Sequence, residues 1–289
     1  MWFLLALLAS FSYSFRRFSE KTLAHKADHF TLGFAVQAFS LPGITLLLFF
    51  TKIPNLFSLS GNFWIPLLII WFIFYPTQAF TYYKSLKEGD ISYVLPLMSL
   101  VPIFTIVSSW ILLGEIPSLF GFLGILTIVI GIYALNMKQN TSLFNPLIHL
   151  FRDKPSLFMI INCICLATGS TLDKIAIGAS NPFFYAFINT FGASIILFLI
   201  AKMANPKFYT TIKNNSKDFA GIGILQSIAF ICFVTALSVG IVPYVAAVKS
   251  ASVILSSIWG FIFLKEAFTK NKISALCFIS LGLVFVAFA

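Results

Sequence analysis

The sequence predicts an all-α membrane protein of ten transmembrane helices, arranged as two inverted five-helix repeats. Three observations lead to this prediction: an apolar composition, ten apolar runs and an internal repeat. Of the 289 residues, 59% are hydrophobic and 10% are charged, and the mean hydropathy is +0.97. A soluble domain carries roughly 25% charged residues, so this chain could not cover a surface that faces water. Lipid is the solvent that suits such a composition.

Ten apolar runs are separated by short polar breaks, and each is close to the roughly 20 residues that cross a bilayer. They are numbered below as spans 1 to 10 and occupy residues 2–18, 30–50, 63–83, 92–112, 117–137, 156–177, 182–203, 219–239, 242–264 and 272–289. Span 1 is preceded by no basic residue and followed by no small-residue cleavage site. We therefore interpret it as a retained span and not as a signal peptide.

An internal repeat relates the two halves of the chain. Residues Tyr82–Glu115 align without a gap over Phe233–Glu266 at an offset of 151, and Gly131 meets Gly282 at the same offset. The identical pairs within the stretch are Leu86/Leu237, Gly89/Gly240, Tyr93/Tyr244, Val94/Val245, Ser99/Ser250, Ile111/Ile262, Leu113/Leu264 and Glu115/Glu266. We predict a repeat at 1–137, a connecting loop at 138–155 and a second repeat at 156–289. Because five is odd, the second repeat enters the membrane the other way up, as in transporters that bind substrate near the midplane.

The basic residues are divided unevenly between the two sides of the predicted membrane protein. Sixteen of the 19 follow odd-numbered spans, Lys52 and Lys174 follow even-numbered spans, and Lys249 lies within span 9. The positive-inside rule places the sixteen in the cytoplasm, so both termini are predicted outside the cytoplasmic (inner) membrane. Topology thus explains the net charge of +10. No polar segment is long enough to form a basic face for nucleic acid.

Both repeats end in a similar motif. In the first repeat its residues are Leu113, Gly114, Glu115, Pro117, Gly121, Gly124 and Gly131. The second repeat has Leu264-Lys265-Glu266 and Gly282, with Lys265 in place of glycine. This pattern resembles the end of an EamA repeat of the drug/metabolite transporter superfamily, and the resemblance covers nearly the whole chain. It implies ten helices around a central cavity, alternating access, and transport of amino acids, nucleotide-related metabolites, sugars or drugs. Many members are drawn with cytoplasmic termini, whereas the charge count here argues the reverse.

Lys249 is the strongest candidate for a substrate-binding residue. It lies seven residues into span 9, where a charge costs roughly 3 kcal/mol or more and marks a functional site. We expect it to face the cavity and to pair with a carboxylate or phosphate of the substrate. The alternative is that its side chain reaches the nearer membrane surface or bonds to helix carbonyls.

Five further polar residues are candidates for substrate binding: Gln78, Tyr82, Asn162, Gln226 and Tyr244. Gln78 and Tyr82 are four residues apart near the end of span 3 and share a helix face. Asn162 in span 6 and Gln226 in span 8 either line the cavity or join helices. Tyr244, just inside span 9, either contacts substrate or anchors its helix at the interface.

Two other features concern helix geometry. Pro96 and Pro102 are expected to kink span 4 and to free carbonyls that can line a cavity, whereas span 9 lacks both prolines. Glu115 and Glu266 precede spans 5 and 10, and a helix dipole favours a carboxylate near its N-terminus. We expect both glutamates at helix starts, with a role in gating as the alternative.

Patterns of catalysis and metal binding are absent from the sequence. The acidic residues lie at span ends or in loops, and no Ser/His/Asp set, paired CxxC or Walker-type glycine loop occurs. We therefore predict no enzyme activity, no metal and no cofactor. An exchanger of protons for cationic drugs would need a buried carboxylate, so this class is disfavoured.

The predicted function is secondary transport of a small, anionic or zwitterionic metabolite, such as an amino acid, by alternating access. The predicted partners are this small molecule and membrane lipid, without nucleic acid, and the protein is a monomer or homodimer. The alternative is a flippase or exporter of a lipid-linked or drug-like substrate. In that case Arg16, Arg17 and Lys21 would form a basic cytoplasmic rim.

Overall fold

The computed structural model describes residues 1–23, 26–56, 59–88, 94–136, 153–264 and 270–289. Within these ranges the regular structure is entirely helical, as the composition predicts. Residues 138–152 of the predicted connecting loop lie outside the described ranges, as do Tyr93 and Glu266.

Most predicted spans correspond to one helix or to two consecutive helical segments. In chain order the segments are Trp2–Leu23, His29–Ala38, Leu41–Leu48, Gly61–Ile69, the π-helical turn Ile70–Phe74, Tyr75–Glu88, the 3-10 helix Leu95–Leu100, Val101–Leu113, Leu119–Asn136, Lys154–Gly178, Pro182–Ala204, Phe208–Asn214, Ser216–Val239, Val242–Ser250, Ser252–Leu264 and Lys270–Ala287.

Seven helical stretches among the described residues are long and apolar enough to cross a membrane. They are Phe30–Leu48, Gly61–Tyr82, Pro96–Leu113, Lys154–Gly178, Pro182–Ala204, Ser216–Val239 and Val242–Phe263. Spans 1, 5 and 10 are helical as well. However, the helix Trp2–Leu23 of span 1 carries Arg16, Arg17 and Glu20, and the apolar parts of the other two are shorter. A multi-pass membrane protein is thus confirmed, while the count of ten spans stays a prediction.

The described helices form two compact units, and each unit takes segments from both predicted repeats. Unit 1 comprises Met1–Pro76 and Leu172–Val239. In it span 1 packs along span 8, and span 2 packs against span 7. The rings of Tyr13 and Phe233 meet edge to face with centroids 6.4 Å apart, so an aromatic contact contributes to the packing of span 1 against span 8.

Unit 2 comprises Thr77–Thr171 and Gly240–Ala289. In it span 5 packs along span 10, and span 4 packs against span 9. Spans 5 and 10 lie close together at Gly124 and Gly282, where a Cβ added to Gly282 would lie 2.7 Å from the Gly124 carbonyl oxygen. Small residues permit such crossings between membrane helices, so the glycines set the distance between these two spans.

Spans 4 and 9 are interrupted at equivalent residues. Span 4 changes from a 3-10 helix to an α-helix at Leu100. Span 9 ends its first helix before Ala251 and resumes directly after it. The repeat offset of 151 superposes Leu100 on Ala251. Pro96 and Pro102 predict the first interruption, but no proline in the middle of span 9 predicts the second.

Span 3 contains an irregular turn where it leaves unit 1. The π-helical turn Ile70–Phe74 separates Gly61–Ile69 from Tyr75–Glu88. Pro76 follows it, and a proline lacks the N–H and crowds the carbonyl four residues before it. The first segment of unit 1 ends at Pro76, and unit 2 begins at Thr77. The irregular turn therefore lies directly before the part of span 3 that belongs to unit 2.

Candidate functional site

Lys249 lies at the interruption of span 9. It is the penultimate residue of the helix Val242–Ser250, and the N–H of Ala251 donates to the carbonyl of Val248 at 3.1 Å. Residues 242 to 248 are all buried, whereas Lys249 is half-buried. The Lys249 side chain therefore projects from the last turn of a helix whose preceding residues are all buried.

Two helix ends meet next to Lys249. The C-terminal end of Val242–Ser250 bears partial negative charge and favours an ammonium in its last turn, while the N-terminal end of Ser252–Leu264 bears partial positive charge. Ser252 is fully buried, and its Oγ has no hydrogen-bond partner among the described residues. An ammonium, a helix N-terminus and an unbonded hydroxyl form a set of donors suited to a carboxylate or phosphate.

Gln78, Tyr82 and Asn162 are brought together elsewhere in unit 2. Asn162 is 3% exposed, and its Nδ2 donates to the main-chain carbonyl of Gln78 at 3.2 Å. One turn further along span 3, Tyr82 packs against an apolar cluster formed by Val94, Leu97, Met159 and Cys163. Asn162 therefore joins spans 3 and 6, which is one of the two roles that its position predicts.

Tyr244 is buried and holds the start of span 5. Its hydroxyl accepts a hydrogen bond from the N–H of Ser118 at 2.8 Å and donates to the Ser118 Oγ at 3.1 Å. Its ring lies against Gly121 and leaves no room there for a Cβ. In return, Glu115 accepts the N–H of Val242 on Oε2 at 2.7 Å. The Glu115 carboxylate therefore caps span 9, whereas its sequence position predicts the start of span 5.

Gln226 lies in unit 1, on span 8, and is 6% exposed. Within the described ranges its Oε1 has no hydrogen-bond donor, and the same holds for the hydroxyls of Ser10 and Thr190, which are buried on spans 1 and 7. A buried polar atom without a partner carries a desolvation penalty of about 1–3 kcal/mol. A hydrogen bond from a polar ligand or a water molecule to one of these three groups would remove this penalty, which is a free-energy gain that an already bonded group cannot offer.

A polar cluster that the sequence analysis did not predict also lies within unit 1. It consists of Tyr13, Tyr75, Asp173, Tyr185 and Asn189 and is called the Asp173 cluster below. The fully buried Tyr185 donates its O–H to Oδ1 of Asp173 at 2.5 Å. Tyr13 and Tyr75 interact electrostatically with the Asp173 carboxylate, and Asn189 interacts with Tyr75. The cluster thus gathers one carboxylate and three hydroxyls from four spans.

Two further contacts extend the Asp173 cluster. Trp71 Nε1 donates to Oδ1 of Asn189 at 3.1 Å. The guanidinium of Arg16 lies over the ring of Tyr13, 5.4 Å from its centroid, and forms an ion pair of 2.6 Å with Glu20. Arg16, which the alternative function assigns to a basic rim, therefore already has its charge balanced by a neighbour on span 1.

Sequence reasoning places Asp173 at the end of span 6, where a carboxylate is usually solvated. The helix ends at Gly178, close to the predicted end of span 6 at residue 177, and the Asp173 side chain is bonded to Tyr185 within unit 1. One signal was available in the sequence. Tyr185 and Asn189 are four residues apart on span 7, so both lie on one helix face. Two polar side chains on the same face of an apolar span predict that polar residues of neighbouring spans bond to them.

Metal ligation finds no support in the described part of the chain. No group of three or more His, Cys, Asp or Glu side chains is placed there to hold an ion. The prediction that the protein uses no metal or cofactor stays a prediction.

Comparison with known proteins finds two similarities. The profile of the EamA-like transporter family matches residues 1–137 and 154–288, which is nearly the whole chain. A solved crystal structure of a protein is similar with a TM-score of 0.75, covering 99% of this chain and 96% of that chain at 14% sequence identity. At such identity the likeness shows the fold alone. None of the curated proteins compared with this chain matches it.

Proposed function

Because this chain belongs to the EamA-like transporter family, we propose that it is a secondary transporter of a small anionic or zwitterionic metabolite, such as an amino acid. The two repeats would alternate access to a site that contains Lys249, in the cytoplasmic membrane. Family membership supports transport across a membrane. The charge of the substrate is argued from Lys249.

The observation that carries the proposal is the place of Lys249 at the interruption of span 9. Discontinuous helices whose ends face the substrate recur in secondary transporters. An anionic group at this position would gain the ammonium and the positive end of Ser252–Leu264 together. The equivalent residue of the first repeat is Met98, so only one repeat supplies this charge. The other predicted residues, Gln78, Tyr82, Asn162, Gln226 and Tyr244, remain candidates for lining the path.

The packing of equivalent spans supports inverted repeats. Span 4 contacts span 9 and span 5 contacts span 10 within unit 2, and span 2 contacts span 7 within unit 1. A two-fold axis brings an element against its own counterpart, and these three pairs are counterparts under the five-span repeat. The interruptions at Leu100 and Ala251 follow the same relation.

Counterflow into proteoliposomes tests the proposal. Purified protein is reconstituted with a mixture of unlabelled amino acids inside and one radiolabelled amino acid at a time outside. We expect wild-type protein to accumulate label for at least one anionic or zwitterionic amino acid. Lys249→Met, which installs the residue found at Met98, should slow counterflow about 30-fold or more, because a charge-assisted bond of roughly 2 kcal/mol is lost.

Lys213→Met is the matched control, since Lys213 is exposed on the short helix Phe208–Asn214. It should leave the rate unchanged. The proposal fails if no metabolite moves, or if Lys249→Met transports as fast as the wild type while retaining its melting temperature.

The alternative, a flippase or exporter of a lipid-linked or drug-like substrate, is favoured by one feature of unit 1. An open cavity of about 440 Å³ is lined by Lys26, Asp28, Asn205, Lys207 and Thr211, together with two alanines. Lys26 is paired with Asp218 at 2.9 Å, and the ammonium of Lys207 would attract an anionic head group at a membrane interface. Transfer of a fluorescent anionic lipid between leaflets, without amino-acid counterflow, would favour this function over the first.

A further inference from the structure

We propose that Arg16 and Gln226 form a second ligand site, within unit 1, that binds a zwitterion. Arg16 takes a carboxylate, and Gln226 takes an N–H of the ammonium on the same molecule, as an α-amino acid provides. Lys249 lies in unit 2, so the inference goes beyond the site of the proposed function. It rests on two buried polar atoms without a partner in the described ranges, a donor on Arg16 and an acceptor on Gln226.

The guanidinium of Arg16 is held in place but is only partly bonded. Its Nη1 donates to Oε1 of Glu20 at 2.6 Å, and its central carbon lies 5.4 Å from the centroid of the Tyr13 ring. Its Nε is buried and has no acceptor in the part of the chain that the structure describes. Nε and the adjacent Nη2 form one edge of the guanidinium, and such an edge can bind both oxygens of a carboxylate. Arg16 is therefore oriented in advance for a carboxylate.

Contacts at two levels show that spans 1 and 8, which pack along each other, run antiparallel. At one level the ring of Tyr13 meets that of Phe233. At the other, Leu23 and Ile222 belong to one apolar cluster. Residue numbers therefore rise along span 1 in the direction in which they fall along span 8, and the segment from Tyr13 to Leu23 faces the segment from Phe233 to Ile222.

This register brings Gln226 to the ion pair of Arg16 and Glu20. Glu20 follows Tyr13 by seven residues, and Gln226 precedes Phe233 by seven residues. Seven residues make about two helical turns, so each lies on the same helix face as the ring that makes the contact, and at the same distance from it. Glu20 and Gln226 are therefore placed opposite each other. Gln226 is 6% exposed, and its Oε1 has no donor within the described ranges.

The ion pair is turned away from the lipid-facing side of span 1 but remains accessible. Phe11 is half exposed and marks the lipid-facing side. Glu20 follows it by nine residues, which is about two and a half turns, so it lies on the opposite face. The side chains of Arg16 and Glu20 nevertheless keep 18% and 26% of their surface exposed. Because the Tyr13 face of span 1 packs on span 8, this exposed surface opens on the side of the helix where Gln226 lies.

Charge balance favours a zwitterion over an anion. The Arg16 charge is already compensated by Glu20, so a ligand with no net charge adds no uncompensated charge to a place of low dielectric constant. Gln226 Oε1 can only accept a hydrogen bond. A phosphate or a simple carboxylate has no N–H for this oxygen and would leave it unbonded, which is costly when the oxygen is buried. The site is therefore best filled by one molecule that carries both groups.

Saturation-transfer NMR on the full-length protein in phosphatidylcholine nanodiscs tests the site. It is carried out on Lys249→Met, which removes the anion site of the proposed function, and the neutral lipid keeps anionic head groups away from Arg16. Three probes of similar shape are titrated: L-alanine, isobutyrate with a methyl in place of the ammonium, and isopropylamine with a methyl in place of the carboxylate. We expect L-alanine to bind about tenfold more tightly than either, because each of the others lacks one hydrogen-bonded group.

Two variants assign the two groups of the ligand to their residues. Arg16→Lys keeps the charge but loses the two-pronged edge, so it should weaken L-alanine and isobutyrate about tenfold and leave isopropylamine unchanged. Gln226→Leu removes the acceptor, so it should weaken L-alanine and isopropylamine and leave isobutyrate unchanged. Gln37→Leu is the matched control, since Gln37 is the other glutamine of unit 1, and it should change none of the three.

A purely structural role for Arg16 or Gln226 would weaken all three probes alike. That result overturns the site, and so does binding of isobutyrate as tight as that of L-alanine, which would indicate a plain anion site open to lipid head groups.

The outcomes also separate the inference from the proposed function. If Lys249→Met binds L-alanine with the expected pattern of variants but the wild type moves no metabolite in counterflow, the zwitterion site stands and the proposed function fails. If the wild type transports amino acids but no binding to Lys249→Met depends on Arg16 and Gln226, the function stands and the zwitterion site is overturned.

Discussion

Polar side chains within the spans differ in what they contact. Asn162 and Tyr244 bond to backbone groups of other spans, which is how a polar residue joins helices in a membrane. Gln226 and Ser252 have buried oxygens without a partner in the described ranges, and Ser252 begins the helix that follows Lys249. The first pair therefore supports structure, and the second pair offers bonds that a bound molecule could satisfy.

Tyr244→Phe should destabilise the protein by about 0.5–1.5 kcal/mol, because the N–H and the Oγ of Ser118 both lose their hydrogen bond to the Tyr244 hydroxyl. Thermal unfolding in detergent measures the change. Tyr209→Phe is the control, since Tyr209 is 60% exposed, and it should leave the melting temperature unaltered. If Tyr244 instead serves mainly to bind substrate, Tyr244→Phe will raise the substrate KM while the melting temperature stays the same.

At the scale of elements, glycines and irregular turns decide how the spans pass one another. Gly124 and Gly282 face each other where spans 5 and 10 cross, with backbone atoms in the space that a Cβ would need. Span 3 carries a π-helical turn before Pro76, and spans 4 and 9 are interrupted at Leu100 and Ala251. Irregular turns in membrane helices occur at functional positions, so we expect conformational change in spans 3, 4 and 9 and not in the regular spans.

Gly282→Ala should destabilise the protein by about 1–3 kcal/mol, because the new Cβ lies 2.7 Å from the Gly124 carbonyl oxygen and must push spans 5 and 10 apart. Gly221→Ala is the matched control. Gly221 lies in the helix Ser216–Val239 with nothing within 4 Å of the added Cβ, so it should gain about 0.5–1 kcal/mol of helix propensity. Equal melting temperatures for the two variants would contradict this account of the crossing.

At the scale of the whole molecule, the predicted repeats and the compact units divide the chain differently. The family profile matches residues 1–137 and 154–288, whereas unit 1 joins Met1–Pro76 with Leu172–Val239. Spans 3 and 6 each contribute to both units. The chain also passes from one unit to the other between Val239 and Gly240, and the π-helical turn of span 3 lies directly before the crossing at Pro76.

The proposed topology has both termini outside and Lys217 in the cytoplasm. It is tested in a chain whose four native cysteines are replaced by alanine. Lys52→Cys should react with an impermeant thiol reagent on intact cells, and Lys217→Cys should react only after lysis, because the positive-inside rule places their loops on opposite sides. Both lysines are exposed. The reverse labelling pattern, or labelling of a tag after Ala289 only from the cytoplasm, would overturn this orientation.

The features that could be predicted from the sequence are those fixed by local patterns, and the features that could not are those fixed by contacts between distant segments. Apolar runs and glycines at fixed offsets are local patterns, and they predicted the helical membrane fold and the family correctly. The interruption of span 9 and the capping of Val242 by Glu115 depend on contacts between distant segments. Sequence spacing along one helix cannot report such contacts, so these features escaped prediction.

The sequence by itself determined that the protein lies in a membrane, because a chain with 10% charged residues suits lipid and not water. It also showed the internal repeat, because residues at the turns of equivalent spans are identical at a constant offset. It also singled out Lys249, since a charge within an apolar run is conspicuous. Only the tertiary structure decided that Asp173 turns into unit 1 toward Tyr185 and that Tyr244 supports span 5. The physical reason is that a polar side chain near a helix end can face either water or protein, and the packing of the neighbouring helices decides between these two environments.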